Sequence, residues 1–107
     1  MATYTAEAIT FAGTVPTSRT AAAGDKLTPD DNAFIRVTNG GASPVDVTFA
    51  VPGNNEDGEP NPDPKRSIAT GATKAIRVNR RWADPADGLI ALTWSATTSV
   101  TFTYERV

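Results

Sequence analysis

The chain has 107 residues, 39% hydrophobic and 21% charged, with a formal net charge of −2 and neither cysteine nor histidine. This balance suits a single soluble globular domain. The missing residue types exclude disulfides, thiolate nucleophiles and the Ser-His-Asp and Cys-His catalytic sets, and leave zinc without its usual ligands; the weak negative charge disfavours sequence-independent binding of nucleic acid.

No apolar run approaches the ~18 residues of a membrane span. The first residues, Met1-Ala2-Thr3-Tyr4-Thr5-Ala6-Glu7, lack the basic and apolar regions of a signal peptide. No membrane partner is expected. Synthesis in the cytoplasm is expected, with release only as part of a larger particle.

Residues 1–32 are rich in Thr and Ala. Ile9 and Phe11 predict one short strand, while Gly13, Pro16, the Ala21-Ala22-Ala23-Gly24 run and Pro29 interrupt anything longer. The segment reads either as an extended arm with one or two short strands or as an ordinary first strand and loop crossing the sheet edges. Residues 33–38 and 45–51 alternate apolar and polar, with Ile35 and Val37 on one face and Val45, Val47, Phe49 and Val51 on the next. Asn39-Gly40-Gly41-Ala42-Ser43-Pro44 between them predicts the turn of a hairpin, its glycines supplying positive φ.

Residues 52–66 hold four prolines and two glycines, which predicts a long loop without regular structure. Strands resume at 67–70 and 74–78, with Ile76 and Val78 inward. Residues 84–88 read as a turn with room for one helical turn. The closing stretch is the clearest of all. Ile90, Leu92 and Trp94 alternate, then Ala96-Thr97-Thr98-Ser99 breaks the run, then Val100, Phe102 and Tyr104 alternate again, predicting a second hairpin with one buried face. The expected class is all-β: one domain over 1–107, with 1–32 as extended N-terminal arm and first strand. Residues 33–107 form an antiparallel β-sandwich, jelly-roll-like or immunoglobulin-like.

Chemistry-bearing patterns are sparse. With Gly58 at the sixth position of a calcium-binding loop, Asn55 and Asp57 fall on ligand positions, but Gly53 and Pro64 occupy the first and twelfth, where ligands are required. The acidic segment therefore reads as a solvated loop, with an irregular site from Glu56, Asp57, Glu59 and Asp63 as the alternative. The pairs Asp30/Asp31 and Asp84/Asp87 sit in turn-forming contexts, where Asp side chains bond their own backbone. No phosphate-binding loop, nucleophile elbow or dinucleotide fingerprint occurs. No catalytic set, cofactor or metal is expected. Arg80-Arg81-Trp82 combines residue types enriched at interface hot spots; the competing reading has Trp82 capping one end of the sandwich and the arginines paired with Asp84 and Asp87.

At the two alternating pairs the sequence resembles a family of small structural proteins of tailed bacteriophages. The residues that carry this are 34–48, with Asn39-Gly40-Gly41-Ala42-Ser43-Pro44 at their centre, and Asp87-Gly88-Leu89-Ile90-Ala91-Leu92-Thr93-Trp94-Ser95 with Thr98-Ser99-Val100-Thr101. Gly13-Thr14-Val15-Pro16-Thr17 before an Ala-rich stretch, and Arg106-Val107, are also similar. The resemblance implies a minor capsid or decoration protein of the virion surface, made in the host cytoplasm. It would sit as a homo-trimer clamping neighbouring subunits of the major capsid protein. In that role Tyr4, Ile9, Phe11 and Val15 would be apolar anchors, and Arg80, Arg81 and Trp82 a second contact. A head–tail connector or tail-associated sandwich is the alternative within that setting. A carbohydrate-binding module using Trp82 and Tyr4 as stacking platforms is the alternative outside it, and a small hydrolase built on the acidic loop ranks last.

Overall fold

The computed structural model describes residues 2–107. Among these residues ten strands run in chain order: β1 (Thr3–Tyr4), β2 (Glu7–Ala8), β3 (Arg19–Thr20), β4 (Lys26–Leu27), β5 (Ala33–Asn39), β6 (Val45–Phe49), β7 (Lys65–Ile68), β8 (Thr73–Arg77), β9 (Ile90–Trp94) and β10 (Val100–Arg106). One sheet has the order β1-β4-β9-β6-β7. The other has β2-β10-β5-β8, with β3 also on β10. The two pack face to face as a β-sandwich. Most pairings are antiparallel; β1 on β4 and β2 on β10 are parallel.

The alternating residues are the core, except Val51, which lies past the end of β6 and is half-buried. Ile35, Val37, Val45, Val47, Phe49, Ile90, Leu92, Trp94, Val100, Phe102 and Tyr104 are all buried. Burying each large apolar side chain contributes roughly 1.5–3 kcal/mol. Tyr104 satisfies its hydroxyl by donating to the Thr28 carbonyl at 2.7 Å.

The connections differ from expectation. Neither alternating pair is a hairpin. β5 pairs with β10 and β8, while β6 lies in the opposite sheet and pairs with β7 and β9. β9 and β10 are likewise split between the sheets. Residues 40–44, 69–72 and 95–99 are therefore arches that carry the chain from one sheet to the other. Three arched units stand side by side, β9–β10, β5–β6 and β7–β8. Alternation assigns residues to inside or outside, and strands facing each other across a core alternate in the same way as strands paired in one sheet.

Asn39, fully buried, holds the arches in place. Its Nδ2 donates to the carbonyls of Ser43 at 2.8 Å and Ile68 at 3.0 Å, and its Oδ1 accepts from the Gly41 N–H at 2.9 Å. Gly40 donates its N–H to the Ser99 carbonyl of the third arch at 2.9 Å. A Cβ on Gly40 would lie 3.1 Å from that same oxygen. Gly40 and Gly41 are absent from the positive-φ residues, so close backbone approach, not a left-handed turn, explains the pair. In the third arch Ser99 takes the left-handed conformation, with φ 59°.

Residues 2–32 run along the sandwich edges through β1 to β4. Leu27, Ala21 and Asp25 are buried, so this segment completes the core as well as edging it. β2 and β3 cover the outer side of β10, one at each end. The strand expected at Ile9 and Phe11 lies two residues earlier, because Ile9 closes the ladder by donating to the Arg106 carbonyl and the chain then turns. Loop 50–64 links β6 to β7 within one sheet and is locally ordered. Asn54 bridges Pro60, Asn55 Oδ1 accepts from the N–H groups of Asp57 and Glu59, and Asp63 Oδ1 accepts from the Val51 N–H.

Candidate functional site

The side chains that project from this frame cluster at one corner. After β2 the chain makes a turn in which the Gly13 N–H donates to the Thr10 carbonyl at 3.0 Å, leaving Phe11 and Ala12 at the tip. Gly13 has φ 95°, which a residue with a Cβ adopts only with strain. The Thr14 hydroxyl accepts from the Thr10 N–H at 3.1 Å and donates to the Ala8 carbonyl at 3.2 Å. Glu7 fastens the base, accepting from the Thr17 N–H at 2.8 Å and from its hydroxyl at 3.1 Å. Phe11 is fully exposed at the tip of this bonded loop, with Val15 and Ile9 beside it. Among the described residues the exposed large hydrophobics are these three and Val107, which follows the Arg106 that holds Ile9.

The other residues singled out from the sequence are placed differently. Tyr4 meets Phe102 edge-on at 5.2 Å between centroids and carries the Arg19 guanidinium over its ring. Trp82 lies tilted on Phe49, with centroids 4.8 Å apart, and packs against the core. Both are half-buried. Trp82 thus takes the capping position of the two readings. Arg80, Arg81 and Trp82 form a 3-10 turn (Arg80–Trp82), capped by the Asn79 side chain, which accepts from the Arg81 N–H. The turn expected within 84–88 is formed as well, the Asp84 carbonyl accepting from the Gly88 N–H at 2.6 Å. The expected pairing with Asp84 and Asp87 is not formed: Arg80 Nε bonds Asp31 Oδ1 at 2.8 Å, Asp87 pairs with Lys26, and Asp84 Oδ1 accepts from the Ala86 N–H. Arg81 is exposed.

A second surface was not singled out by motif. A cleft of about 510 Å³ is lined by Arg66, Arg77, Arg80 and Trp82, with Val78, Asn79 and Asp31. The sequence does carry its signal: residues 64–83 hold Lys65, Arg66, Lys74, Arg77, Arg80 and Arg81, six of the ten basic residues of the chain, and no acidic one. Sorting charges by segment, rather than counting them over the whole chain, would have found it.

No group of three or more His, Cys, Asp or Glu side chains converges on a point among the described residues. No helix among them is long and apolar enough to cross a membrane. No protein-family model, curated protein or solved structure matches the chain. Fold and surface together define a small all-β sandwich of three stacked arches, with a bonded loop that holds an aromatic side chain out in water.

Proposed function

We propose that this chain is a non-enzymatic virion structural protein that binds and cements the major capsid lattice, as a decoration or minor capsid protein, and that it docks through the loop after β2. The observation that carries the reading is the exposure of Phe11. Leaving a large apolar side chain in water forgoes roughly 1.5–3 kcal/mol of burial, and hydrogen bonds hold this one at the tip of a turn. An anchor fixed in advance loses less conformational freedom on binding. Ile9 and Val15 widen the contact. The resemblance of residues 34–48, 87–95 and 98–101 to small phage structural proteins supplies the partner; the arched scaffold those residues build supplies the rigid body behind the loop.

The test is co-sedimentation of purified protein with capsids that lack it. The intact chain is expected to sediment with them. Phe11→Ser combined with Val15→Ser is expected to bind at least about tenfold more weakly with an unchanged melting temperature. Equal binding of the double variant would overturn the docking site, and absence of binding by the intact chain would overturn the capsid reading.

A further inference from the structure

The far edge of the β10 sheet offers a second surface, independent of the one just described. Among the described residues β8 ends its sheet, paired only with β5. The Val78 N–H donates to the Ala33 carbonyl and the Asn39 N–H to the Ala72 carbonyl, which fixes the phase of the ladder. In an antiparallel pair bonded residues alternate, so Thr73, Ala75 and Arg77 turn their N–H and C=O groups away from β5 toward solvent. Such an edge is ordinarily guarded by an inward lysine or a bulge. Lys74 is such an inward lysine, and its ammonium is occupied by the Ser67 carbonyl of β7, to which it donates at 2.7 Å.

Two recesses flank this open edge and share Arg77 as a wall. On the outer face of the sheet, Phe34, Ala33, Ala75 and Val107 line an apolar recess of about 270 Å³. At the end of the strand lies the cationic cleft of Arg66, Arg77 and Arg80. Asp31 holds Arg80 within it, while among the described residues no carboxylate is paired with Arg66 or Arg77.

We propose that the free edge of β8 accepts an extended acidic segment of a partner protein as an added strand. Backbone groups would pair with Thr73, Ala75 and Arg77, an apolar side chain would enter the Phe34 recess, and carboxylates would meet Arg66 and Arg77. A strand presents side chains alternately to its two faces, and the two recesses have the matching characters. A peptide is the occupant that uses all three features. A nucleic acid would use the guanidinium groups alone, against the chain's net charge of −2. The chain's own acidic loop is a poor occupant for a second copy, because Pro60, Pro62 and Pro64 lack the N–H groups that pairing requires. The arginines also select, since they repel basic strands that would otherwise add to an open edge.

The test uses the full chain and a synthetic twelve-residue peptide alternating Glu with Val, with binding followed by calorimetry. Binding that weakens as salt is raised is expected. Arg66→Glu with Arg77→Glu is expected to weaken it at least about tenfold. Ala75→Pro removes an N–H the β5 ladder does not use and is expected to weaken binding equally while the fold melts cooperatively. If that variant fails to fold, amide exchange in the intact protein decides: slowed exchange at Thr73, Ala75 and Arg77 on adding peptide supports the pairing, and unchanged exchange overturns it. The proposal also fails if the peptide does not bind, if Ala75→Pro binds as the parent does, or if a single-stranded oligonucleotide of equal charge binds as tightly.

Discussion

Asn39 donates a side-chain hydrogen bond to the carbonyl of Ile68, 29 positions further along the chain, at 3.0 Å, with both groups buried. That bond joins the arch after β5 to the arch after β7, and the second Nδ2 proton closes the first arch on Ser43. Replacing Asn39 by Ala strips partners from two carbonyls and from the Gly41 N–H. Asn39→Ala is expected to lower the unfolding free energy by about 2–4 kcal/mol in urea titration. Asn39→Asp should be no better, because it loses both donors and buries a charge. A change under about 1 kcal/mol for Asn39→Ala would show that the arches stand without it.

Asp25 is a second buried polar fixture. Its Oδ2 accepts from the Ala22 N–H at 2.9 Å and from the Trp94 indole N–H at 3.1 Å, while Oδ1 has no partner. Asp25→Ala leaves one buried and one half-buried donor without their partner and is expected to cost about 2–4 kcal/mol. Asp25→Asn keeps an acceptor and should cost clearly less. Thermal melts of the two variants, with Trp94 fluorescence as the local readout, check the order; equal losses would contradict the assigned role of Oδ2.

Stability should depend on pH at both ends of the scale. Burial, with the nearby Asp30 charge adding to it, pushes the Tyr104 hydroxyl up to about 12 from its ordinary 10.0. A raised value means that the folded chain holds the proton more tightly, so this contribution is complete below pH 10 and is lost as pH rises toward 12. Tyr104→Phe is expected to flatten the alkaline arm of a stability profile. At the acid end, the Lys26 ammonium holds the Asp87 carboxyl below its ordinary 3.8, and the Asn32 N–H does the same for Asp30, helped by Arg106. Their contributions are present above that value and lost as pH falls below it. Asp87→Asn should remove part of the acid arm, and an unchanged profile would count against the pair with Lys26.

Trp82 and Phe11 should separate stability from binding. Trp82→Ala removes a ring packed on Phe49 and is expected to cost about 2–4 kcal/mol, somewhat less than a fully buried Trp. Phe11→Ser touches no packing and is expected to change stability by no more than about 0.5 kcal/mol. Chemical denaturation of both variants checks this, and a large loss for Phe11→Ser would place that ring in the folded core.

The sequence was informative about burial and much less so about connection. Alternation identified Ile35, Val37, Val45, Val47 and Phe49 as inward, and all five are buried. It gave no sign that Val37 and Val47 belong to different sheets, because the signal has no term for which neighbour a strand bonds. Gly40 and Gly41 drew attention as turn residues, yet their use is to let the 40–44 backbone approach Ser99, a relationship between segments some 60 residues apart. The four short strands at the N-terminus had no periodicity to find, since two residues cannot show a period. Phe11 was selected as an anchor and stands exposed, whereas Tyr4 and Trp82 look the same in composition but are half-buried against Phe102 and Phe49. Arg66 and Arg77 were missed because each is unremarkable in its own strand, and only the packing of β7 beside β8 brings them together.

β10 lies inside its sheet, between β5 on one side and β2 and β3 on the other, although it comes last in chain order of the ten strands described. Until residues 100–106 emerge, β5 has no neighbour on that side, and Ile35 and Val37 lack Tyr104 and Phe102 beside them on the inner face. The sheet of β2, β10, β5 and β8 therefore stays incomplete until residues 100–106 have been made. The nascent chain must wait with a sticky face uncovered, and a long-range pairing of this kind forms slowly once it is free to do so. Truncations that remove β10 should yield aggregates rather than a smaller folded protein.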